Sequence, residues 1–327
     1  MSQPSNTRLD AADIVYLERE LRHVDPVNYT KLVAGILGRK YIPLIEGIPA
    51  DANEYSYVMA EMTGNGNEGK LGAPYANDAT VVGVKFTQHT SAIKQIPVVM
   101  KWTIREMRQS ARYGGRLEQA TINAAMTYIA RARDKMLAFG SGTTVSGLLN
   151  NSAINSTTPS TKSGTGGGTA WIRTVPVSPD EILADIAKMV SNTRAQLEQA
   201  SRMPGGGTVP AFDRFVLLLD SPNFSYIAQT PRSTTSDRTI LQWALQQNPW
   251  LESIEEWNQC NLADTEGDGP RAVLYPRDPM CVGAVIPDEW TQEAWQYAGH
   301  DIIVPANGSC GGTVNRYPVA CQYMETI

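Results

Sequence analysis

The chain has 327 residues, of which 42% are hydrophobic and 19% are charged. This composition is typical of a folded protein, and the length suffices for one large domain or two packed subdomains. The formal net charge of −5 argues against a sequence-specific nucleic-acid-binding protein, which usually carries a basic surplus. It does not exclude a container whose inner wall lies near nucleic acid.

The cysteines and the hydrophobic pattern restrict the cellular setting. Cys260, Cys281, Cys310 and Cys321 show neither CxxC spacing nor the density of a disulfide scaffold, so buried, reduced thiols are expected. The N-terminus has no basic patch followed by an apolar run, and nowhere do eighteen apolar residues follow one another. The sequence therefore predicts a protein without signal peptide or membrane span that is made in a cytoplasm.

The first fifty residues are predicted to form an arm. Asp10 is a candidate cap for a helix that ends near Arg22, because apolar residues recur there at helical spacing. The segment that follows is interrupted by Pro43 and Pro49. It is too short and too interrupted to be a domain of its own.

Residues 54–95 are predicted to form a long β-hairpin. Segments 54–63 and 79–95 have strand-type composition, and a glycine-rich turn region over 64–72 separates them. Neither face is cleanly polar, and an isolated two-stranded hairpin is only marginally stable in water. The hairpin is therefore expected to lie on a neighbouring subunit. The candidate contact residues are Tyr55, Tyr57, Met59, Met62, Lys70, Val82, Val84 and Phe86.

Two helices are predicted after the hairpin. The sequence TIRE, from Thr103 to Glu106, has the pattern of a capping box and opens a helix that stops at Gly114. A helix of about seven turns follows from Arg116 to Phe139. Its predicted buried stripe consists of Leu117, Thr121, Ala124, Tyr128, Ala132, Met136 and Phe139.

The second half of the chain is predicted to be a mixed α+β body. A Ser-, Thr- and Gly-rich surface loop over 150–176 leads to a capping box that begins at Ser178 and opens a helix to about Ser201. A strand buried on both faces is predicted at 215–219. Ser221 begins a short helix, and Asp237 is a candidate cap for another that ends at Gln247. Further strands are predicted at 254–257, 271–275, 281–286, 301–305 and 313–323.

No motif predicts catalysis, a cofactor site or a metal site. The segment 64–70 matches the spacing of a phosphate-binding loop, but Leu71 stands where a hydroxyl should meet magnesium. The glycines at 164–168 lack the strand–turn–helix context of a dinucleotide site. The three histidines are far apart, and no GxSxG elbow is present. We therefore expect a protein that is not an enzyme and has no catalytic, cofactor-binding or metal-binding residues.

Several short motifs occur in an order that resembles a known family. They are the hairpin, the TIRE helix, the long helix ending in Phe139-Gly140, the turn Gly147 to Asn150, the DRTIL segment 237–241, Asn248-Pro249, and the CGGTVNRYPVA segment 310–320. Together they resemble the major capsid proteins of tailed bacteriophages, with the Hong Kong 97-like fold that encapsulins share. The resemblance covers nearly the whole chain from about residue 10.

This resemblance implies an α+β fold with named parts. They are an N-terminal arm (1–50), an E-loop hairpin (51–97), a P domain (98–176) with a spine helix at 116–139, an A domain (177–311), and a C-terminal strand (312–327) that returns to the P domain. It further implies a subunit that assembles into pentamers and hexamers, forming an icosahedral head shell around the phage genome.

The implied partners and location follow from the same resemblance. The partners are other copies of the chain, a decoration or cement protein, a scaffolding protein, the portal, and packaged double-stranded DNA bound without sequence specificity; no membrane is implied. The implied location is the virion, with assembly in the host bacterial cytoplasm. Two alternatives remain open: an encapsulin nanocompartment shell, and a soluble hydrolase with Ser309 or Cys310 as its nucleophile.

Overall fold

The structure is a computed structural model. It describes residues 36–63, 83–112, 116–142, 144–163, 168–173, 177–202, 212–233, 238–262, 269–325 and 327. The helix predicted from Asp10 and the segment 64–70 lie outside the described residues, as do Lys70, Val82 and Asp237. For Met62 only the backbone is described.

The described part of the chain mixes helices and strands, so the predicted α+β class is confirmed. Its helices are α1 (Gly38–Tyr41), α2 (Ile104–Arg112), α3 (Arg116–Phe139), α4 (Pro179–Arg202), α5 (Ser221–Gln229) and α6 (Ile240–Gln247), with 3-10 turns at Asn258–Leu262 and Pro318–Ala320. Its strands are β1 (Glu54–Thr63), β2 (Gly83–Ala92), β3 (Lys94–Thr103), β4 (Asn155–Thr157), β5 (Phe215–Leu219), β6 (Leu251–Glu256), β7 (Ala272–Tyr275), β8 (Val282–Ala284), β9 (Thr291–Gln292), β10 (Gln296–Ala298), β11 (Asp301–Cys310), β12 (Thr313–Asn315) and β13 (Gln322–Met324).

The described strands form four sheets. Strands β1 and β2 pair only with each other, as an antiparallel hairpin, and β12 pairs with β8. A four-stranded sheet has the order β10-β11-β3, with β9 also paired to β11. The largest sheet has the order β4-β13-β7-β5-β6, in which β5 runs parallel to β6 and antiparallel to β7. The hairpin is therefore separate from the sheets of the body.

The long helix α3 has the predicted bounds, but its predicted buried stripe is wrong at Leu117, Ala124 and Tyr128, which are exposed. The later members of the stripe, Ala132, Met136 and Phe139, are partly buried and pack against the core as predicted. Tyr128 and Leu117 are 61% and 39% exposed, whereas Ile129 is fully buried and Ala125 is 6% exposed. Ala125 belongs to the core that α3 shares with the β3–β11 sheet. The helical period does not fix which neighbouring positions form the buried stripe. The large apolar side chains of Leu117 and Tyr128 therefore led to a stripe that includes exposed positions.

The turn after α3 depends on two glycines. Gly140 has φ +69°, and a Cβ there would lie 2.0 Å from the Val145 carbonyl oxygen. A Cβ on Gly147 would lie 2.3 Å from the carbonyl oxygen of Ala138, so the returning chain approaches the helix end too closely for a side chain. Asn150 fixes the turn, because its Nδ2 donates to the Phe139 carbonyl at 2.5 Å. The Leu148 and Leu149 N–H groups donate to the Leu137 and Ala138 carbonyls, so the carbonyls at the end of α3 all have donors.

Of the two predicted capping boxes, the one at Thr103 is complete, and the one at Ser178 is half formed, because the Glu181 N–H donates to the Ser178 carbonyl and not to its hydroxyl. The Thr103 backbone N–H donates to the Glu106 carboxylate at 2.9 Å, and the Glu106 N–H donates to the Thr103 hydroxyl at 3.2 Å, which is the reciprocal capping box. At the start of α4, the Ser178 N–H donates to the Glu181 carboxylate at 3.3 Å. The predicted inward residues of α4 are confirmed as buried or partly buried: Ile182, Ile186, Met189, Thr193 and Leu197.

The predicted cap of α6 is wrong. The residue at the N-cap is Thr239, which forms a capping box with Gln242, rather than Asp237. Both residues are small or polar cap formers, so the local sequence does not separate them. The helix itself ends at Gln247, as predicted.

Several strand predictions differ from the structure in extent, and three of the differences change the topology or the pairing. The second hairpin strand ends at Ala92, and β3 begins at Lys94 with a different partner, because buried Ile93 inserts into the body between them. Strand β11 continues past Pro305, which lies between the β10 and β9 pairings and so needs no N–H on that side. The single strand predicted over 313–323 is broken into β12, a 3-10 turn and β13.

Candidate assembly surfaces

The hairpin of β1 and β2 has two distinct faces. Its register runs without a bulge from Glu54 opposite Ala92 to Thr63 opposite Gly83. Directly opposed residues in an antiparallel pair share a face, and successive residues alternate between faces. One face, here called the inner face, carries Tyr55, Tyr57, Met59, Thr87 and His89. The other, here called the outer face, carries Val58, Ala60, Val84, Phe86 and Gln88.

The inner face contacts the body of the same chain near the base of the hairpin. Arg316 donates through Nη2 to the Tyr55 hydroxyl at 2.6 Å, and its guanidinium lies 5.6 Å from the centre of the Tyr57 ring. Tyr57 in turn stacks on His89, with ring centres 5.2 Å apart. Burial raises the pKa of Tyr57, so its hydroxyl stays protonated. The structure thus places two of the predicted contact residues against their own subunit.

Main-chain bonds hold the base of the hairpin. The Ser91 hydroxyl donates to the Gly311 carbonyl at 3.2 Å, and the Ile93 N–H donates to the Asn53 carbonyl at 2.8 Å. Ile93 packs with Val285 and Val314 in a small buried cluster. The hairpin is therefore fixed where it leaves the body.

The outer face is apolar and exposed. Val58, Val84 and Phe86 are 61%, 55% and 70% exposed, and Ala60 lies directly opposite Phe86. No described residue covers these side chains. Exposed apolar patches of this kind mark interaction sites in soluble proteins. Val84 and Phe86 were among the predicted contacts, whereas Val58 was missed, although its alternation with Tyr57 and Met59 was a usable signal.

A second exposed row lies on α3. It consists of residues three or four positions apart, Leu117, Ala120, Ala124, Tyr128, Arg131 and Lys135, all of them exposed. Residues at this spacing share one helix face. The face points away from Ala125 and Ile129, which pack on the body.

A third exposed area lies on the β10-β11-β3 sheet. Val99 and Tyr297 are 63% and 73% exposed, and Trp295 is 40% exposed with its ring centre 6.1 Å from that of Trp102. Val99 shares its face of the sheet with Lys101 and Asp301, which form an ion pair at 2.7 Å. The register places Tyr297 on the other face, together with Trp102. The sheet therefore presents apolar side chains and paired charges.

The chain from Leu37 onward is bonded to the body. The Gly38 N–H donates to the Asp134 carboxylate at 2.6 Å, and a Cβ at Gly38 would lie 2.7 Å from the same oxygen. Further on, the Ile45 N–H donates to the Ala284 carbonyl at 3.0 Å, and the Ala284 N–H donates to the Pro43 carbonyl at 2.8 Å. The end of the predicted arm is thus attached to the body at the first residue of α1 and again just after this helix.

A buried ion pair ties the loop after β4 to α4. The Lys162 ammonium donates to the Asp185 carboxylate, and both side chains are 0% exposed. The same carboxylate accepts from Trp171 Nε1 at 3.0 Å and from the Ser160 N–H at 3.0 Å. Because Lys162, Asp185 and Trp171 are buried and bonded to one another, this cluster fits a structural role.

The residues considered as nucleophiles are buried and engaged. The Ser309 hydroxyl accepts from the Asp288 N–H at 2.9 Å, and Ser309 is only 3% exposed. Cys310 is fully buried, and burial raises the pKa of its thiol, which keeps it in the unreactive protonated form. All four cysteines are buried and free, as predicted.

The described residues offer neither a metal cluster nor a membrane helix. No group of three or more His, Cys, Asp or Glu side chains among them is arranged to hold a metal ion. In the same residues, no helix combines the length and the apolar character needed to cross a bilayer. The surfaces described above are therefore the candidate functional features.

The fold is shared with proteins of known capsids and particles. The capsid of Myoviridae phage XM1 superposes with a TM-score of 0.76 at 14% identity, over 99% of this chain and 100% of that one. The capsid of the native GTA particle gives 0.62 at 10% identity, over 97% and 99% of the two chains. The virus-like particle from Pyrococcus furiosus gives 0.50 at 13% identity, over 88% and 91%. No curated protein sequence matches the chain.

The family follows from the sequence match. Residues 69–327 match the model of the major capsid protein family. The chain belongs to the major capsid protein family, whose members are the structural subunits of viral shells. The resemblance noted from the sequence is confirmed at this level.

Proposed function

We propose that the chain is the major capsid protein of a tailed phage. In this proposal it forms pentamers and hexamers that build the icosahedral head around double-stranded DNA. The family match and the whole-length likeness to a phage capsid support it. The observation that carries the assembly role is the outer face of the hairpin, which exposes Val58, Val84 and Phe86.

The hairpin acts as a strap between subunits in this proposal. Its base is held by Arg316 and by the Ser91 bond, so its position on the subunit is defined before assembly. Its outer face then lies on a neighbouring subunit and removes apolar area from water. The contact is head-to-tail, because the hairpin of one subunit meets a different surface of the next, and such contacts close into rings.

The proposed subdomains follow the sheets. The P domain would comprise β3, α2, α3 and the strands paired with β3, and the A domain would comprise the five-stranded sheet with α4, α5 and α6. Strand β11, which the sequence-based division assigned to the A domain, pairs with β3 over ten residue pairs. Strand β13, assigned to a return to the P domain, pairs with β7 and β4. We therefore propose that the chain crosses back to the P domain before residue 301.

The proposed role is structural rather than catalytic. The buried state of Ser309 and Cys310 supports this, because a nucleophile has to reach substrate. The sequence-based partners beyond the chain itself, namely a decoration protein, a scaffolding protein and the portal, remain proposals of the same kind.

Electron microscopy of the purified full-length chain tests the proposal. Pentamers, hexamers or closed shells are expected, with the same species seen by light scattering after size exclusion. A chain that stays monomeric at high concentration and is missing from the particle fraction would contradict it. An encapsulin shell, the alternative within the fold, would enclose a protein cargo, whereas phage heads from the native source would enclose DNA of genome length.

A further inference from the structure

The net charge of the chain is unevenly distributed, because one segment is rich in basic residues and poor in acidic ones. Residues 94–135 hold nine Lys and Arg against three Asp and Glu, a net charge of +6. The whole chain carries −5, so the remaining residues together carry −11. This segment comprises β3, α2 and most of α3, and seven of its nine basic residues are in or between the two helices.

The basic side chains of α2 point away from the protein core. Arg105 and Arg108 are exposed, whereas Ile104 and Met107 pack against the core beneath the helix. Positions 105 and 108 are one turn apart, so their side chains form a row. Glu106 lies between them in sequence and keeps its negative charge, because the hydrogen bonds from Thr103 lower its pKa, so α2 has two exposed arginines against one exposed carboxylate here.

The outward row of α3 extends this basic surface. Arg131 and Lys135 are exposed and follow Tyr128 on the same helix face. Asp134, the neighbouring acid, is buried and bonded to Gly38 and Gln259. Among the described residues, no acidic side chain forms an ion pair with Arg131 or Lys135, nor with the two arginines of α2.

The opposite side of this layer differs in character. There Lys101 is already paired with Asp301 at 2.7 Å, and Val99 is exposed. The helix side is thus basic without paired acids, and the sheet side is apolar with paired charges. A polyanion would meet attraction on the helix side of this layer and repulsion from the net negative remainder of the subunit.

We propose that the exposed helix side of the α2–α3 layer lines the inside of the shell and contacts the phosphates of the enclosed double-stranded DNA. This inference rests on the proposed function and adds the orientation of the subunit to it. Duplex DNA carries one charge per about 1.7 Å of its axis, so it can satisfy basic side chains at many spacings. Contacts to phosphate carry no sequence information, which agrees with a wall that meets any genome sequence.

Charge-neutralised variants of the full-length chain test the orientation. Arg105→Gln with Arg108→Gln, and separately Arg131→Gln with Lys135→Gln, each remove two exposed charges from the layer. The probe is a fluorescent duplex of about 30 base pairs of mixed sequence, and its anisotropy with unassembled subunits is followed between about 50 and 200 mM salt. Each double change is expected to weaken binding and to reduce the slope of log K against log salt by about 1.8, or about 0.9 for each lost phosphate contact.

A matched control removes the same charge elsewhere. Arg39 and Arg214 are exposed, and neither belongs to the α2–α3 layer. Arg39→Gln with Arg214→Gln is expected to leave the salt slope at the wild-type value. Equal slopes for the layer variants and the control would overturn the inference, as would a wild-type chain that does not bind the duplex.

Shell formation by the same variants separates this inference from the proposed function. The layer variants are expected to form shells like the wild type. If they lose shells while the control keeps them, the basic face contacts an acidic surface of a neighbouring subunit, and the DNA assignment is overturned. If the wild type itself forms no shells, the proposed function fails, whatever the DNA result.

Discussion

Replacing Phe86 with alanine removes the largest described side chain on the outer face of the hairpin. Phe86 is 70% exposed in the subunit, so most of its surface is available to a neighbour. An enclosed aromatic side chain buries about 150–250 Å². The exposed share is then roughly 100–175 Å², which corresponds to about 2.5–4.5 kcal/mol of burial free energy at about 25 cal/mol per Å².

The change is expected to weaken assembly much more than folding. Alanine keeps part of the contact, so the loss is about 2–3 kcal/mol for each hairpin contact. Since each 1.4 kcal/mol is about a factor of ten, the subunit concentration needed for assembly should rise by roughly 30- to 150-fold. The free energy of unfolding should change by less than about 0.5 kcal/mol, because the side chain is exposed in the subunit.

Light scattering across a concentration series gives the assembly threshold, and urea denaturation gives the stability. Lys85→Ala is the matched control, because Lys85 is exposed on the same strand but on the inner face. An unchanged threshold for Phe86→Ala, with folding intact, would refute the assignment of the outer face to a subunit contact. An equal rise of the assembly threshold for both variants would show that any side-chain truncation on the hairpin weakens assembly, whichever face it lies on.

Three further substitutions test the body of the subunit. Asp185→Asn leaves the buried ammonium of Lys162 without its counter-charge and is expected to lower the free energy of unfolding, measured in urea, by about 3–5 kcal/mol. Gly147→Ala places a methyl group against a carbonyl at the end of α3, and a loss of about 1–3 kcal/mol is expected in the same assay. Ser163→Ala removes the hydroxyl bond that holds the pKa of Glu181 below its ordinary value of 4.5. Its destabilisation, followed by thermal unfolding, should be present above that pH and disappear as the pH falls below it.

Each of these predictions has its own control. Combining Lys162→Met with Asp185→Asn should recover most of the loss, and a double variant as unstable as the single one would argue against an uncompensated charge. Ser152→Ala, at an exposed position of the following loop, should be neutral where Gly147→Ala is not. Glu181→Gln should abolish the pH dependence of the Ser163→Ala effect, and a destabilisation that does not diminish as the pH is lowered from 7 into the acid range would contradict the pKa argument.

Features encoded by neighbouring residues were predictable from the sequence. The capping box at Thr103, the bounds of α3 and the buried strand β5 depend on patterns within a few residues of one another. The alternation in β1 likewise gave the two faces of the hairpin, and the register confirms it. The sequence motifs were also sufficient to indicate the family.

Features that depend on distant partners were decided by the tertiary structure. The phase of α3 follows from which side meets the β3–β11 sheet, and β3 was missed because strand composition continues across Ile93 while the partner strand changes. Which face of the hairpin contacts the body and which stays exposed also depends on a distant partner. Tyr55 lies 261 residues before Arg316, whose guanidinium binds it and turns the inner face toward the body. The sequence alone thus determined most of the helices, the hairpin and the family, whereas packing between remote segments determined strand β3 and which surfaces remain exposed. The physical reason is that local periodicity specifies that a face is apolar but not what covers it.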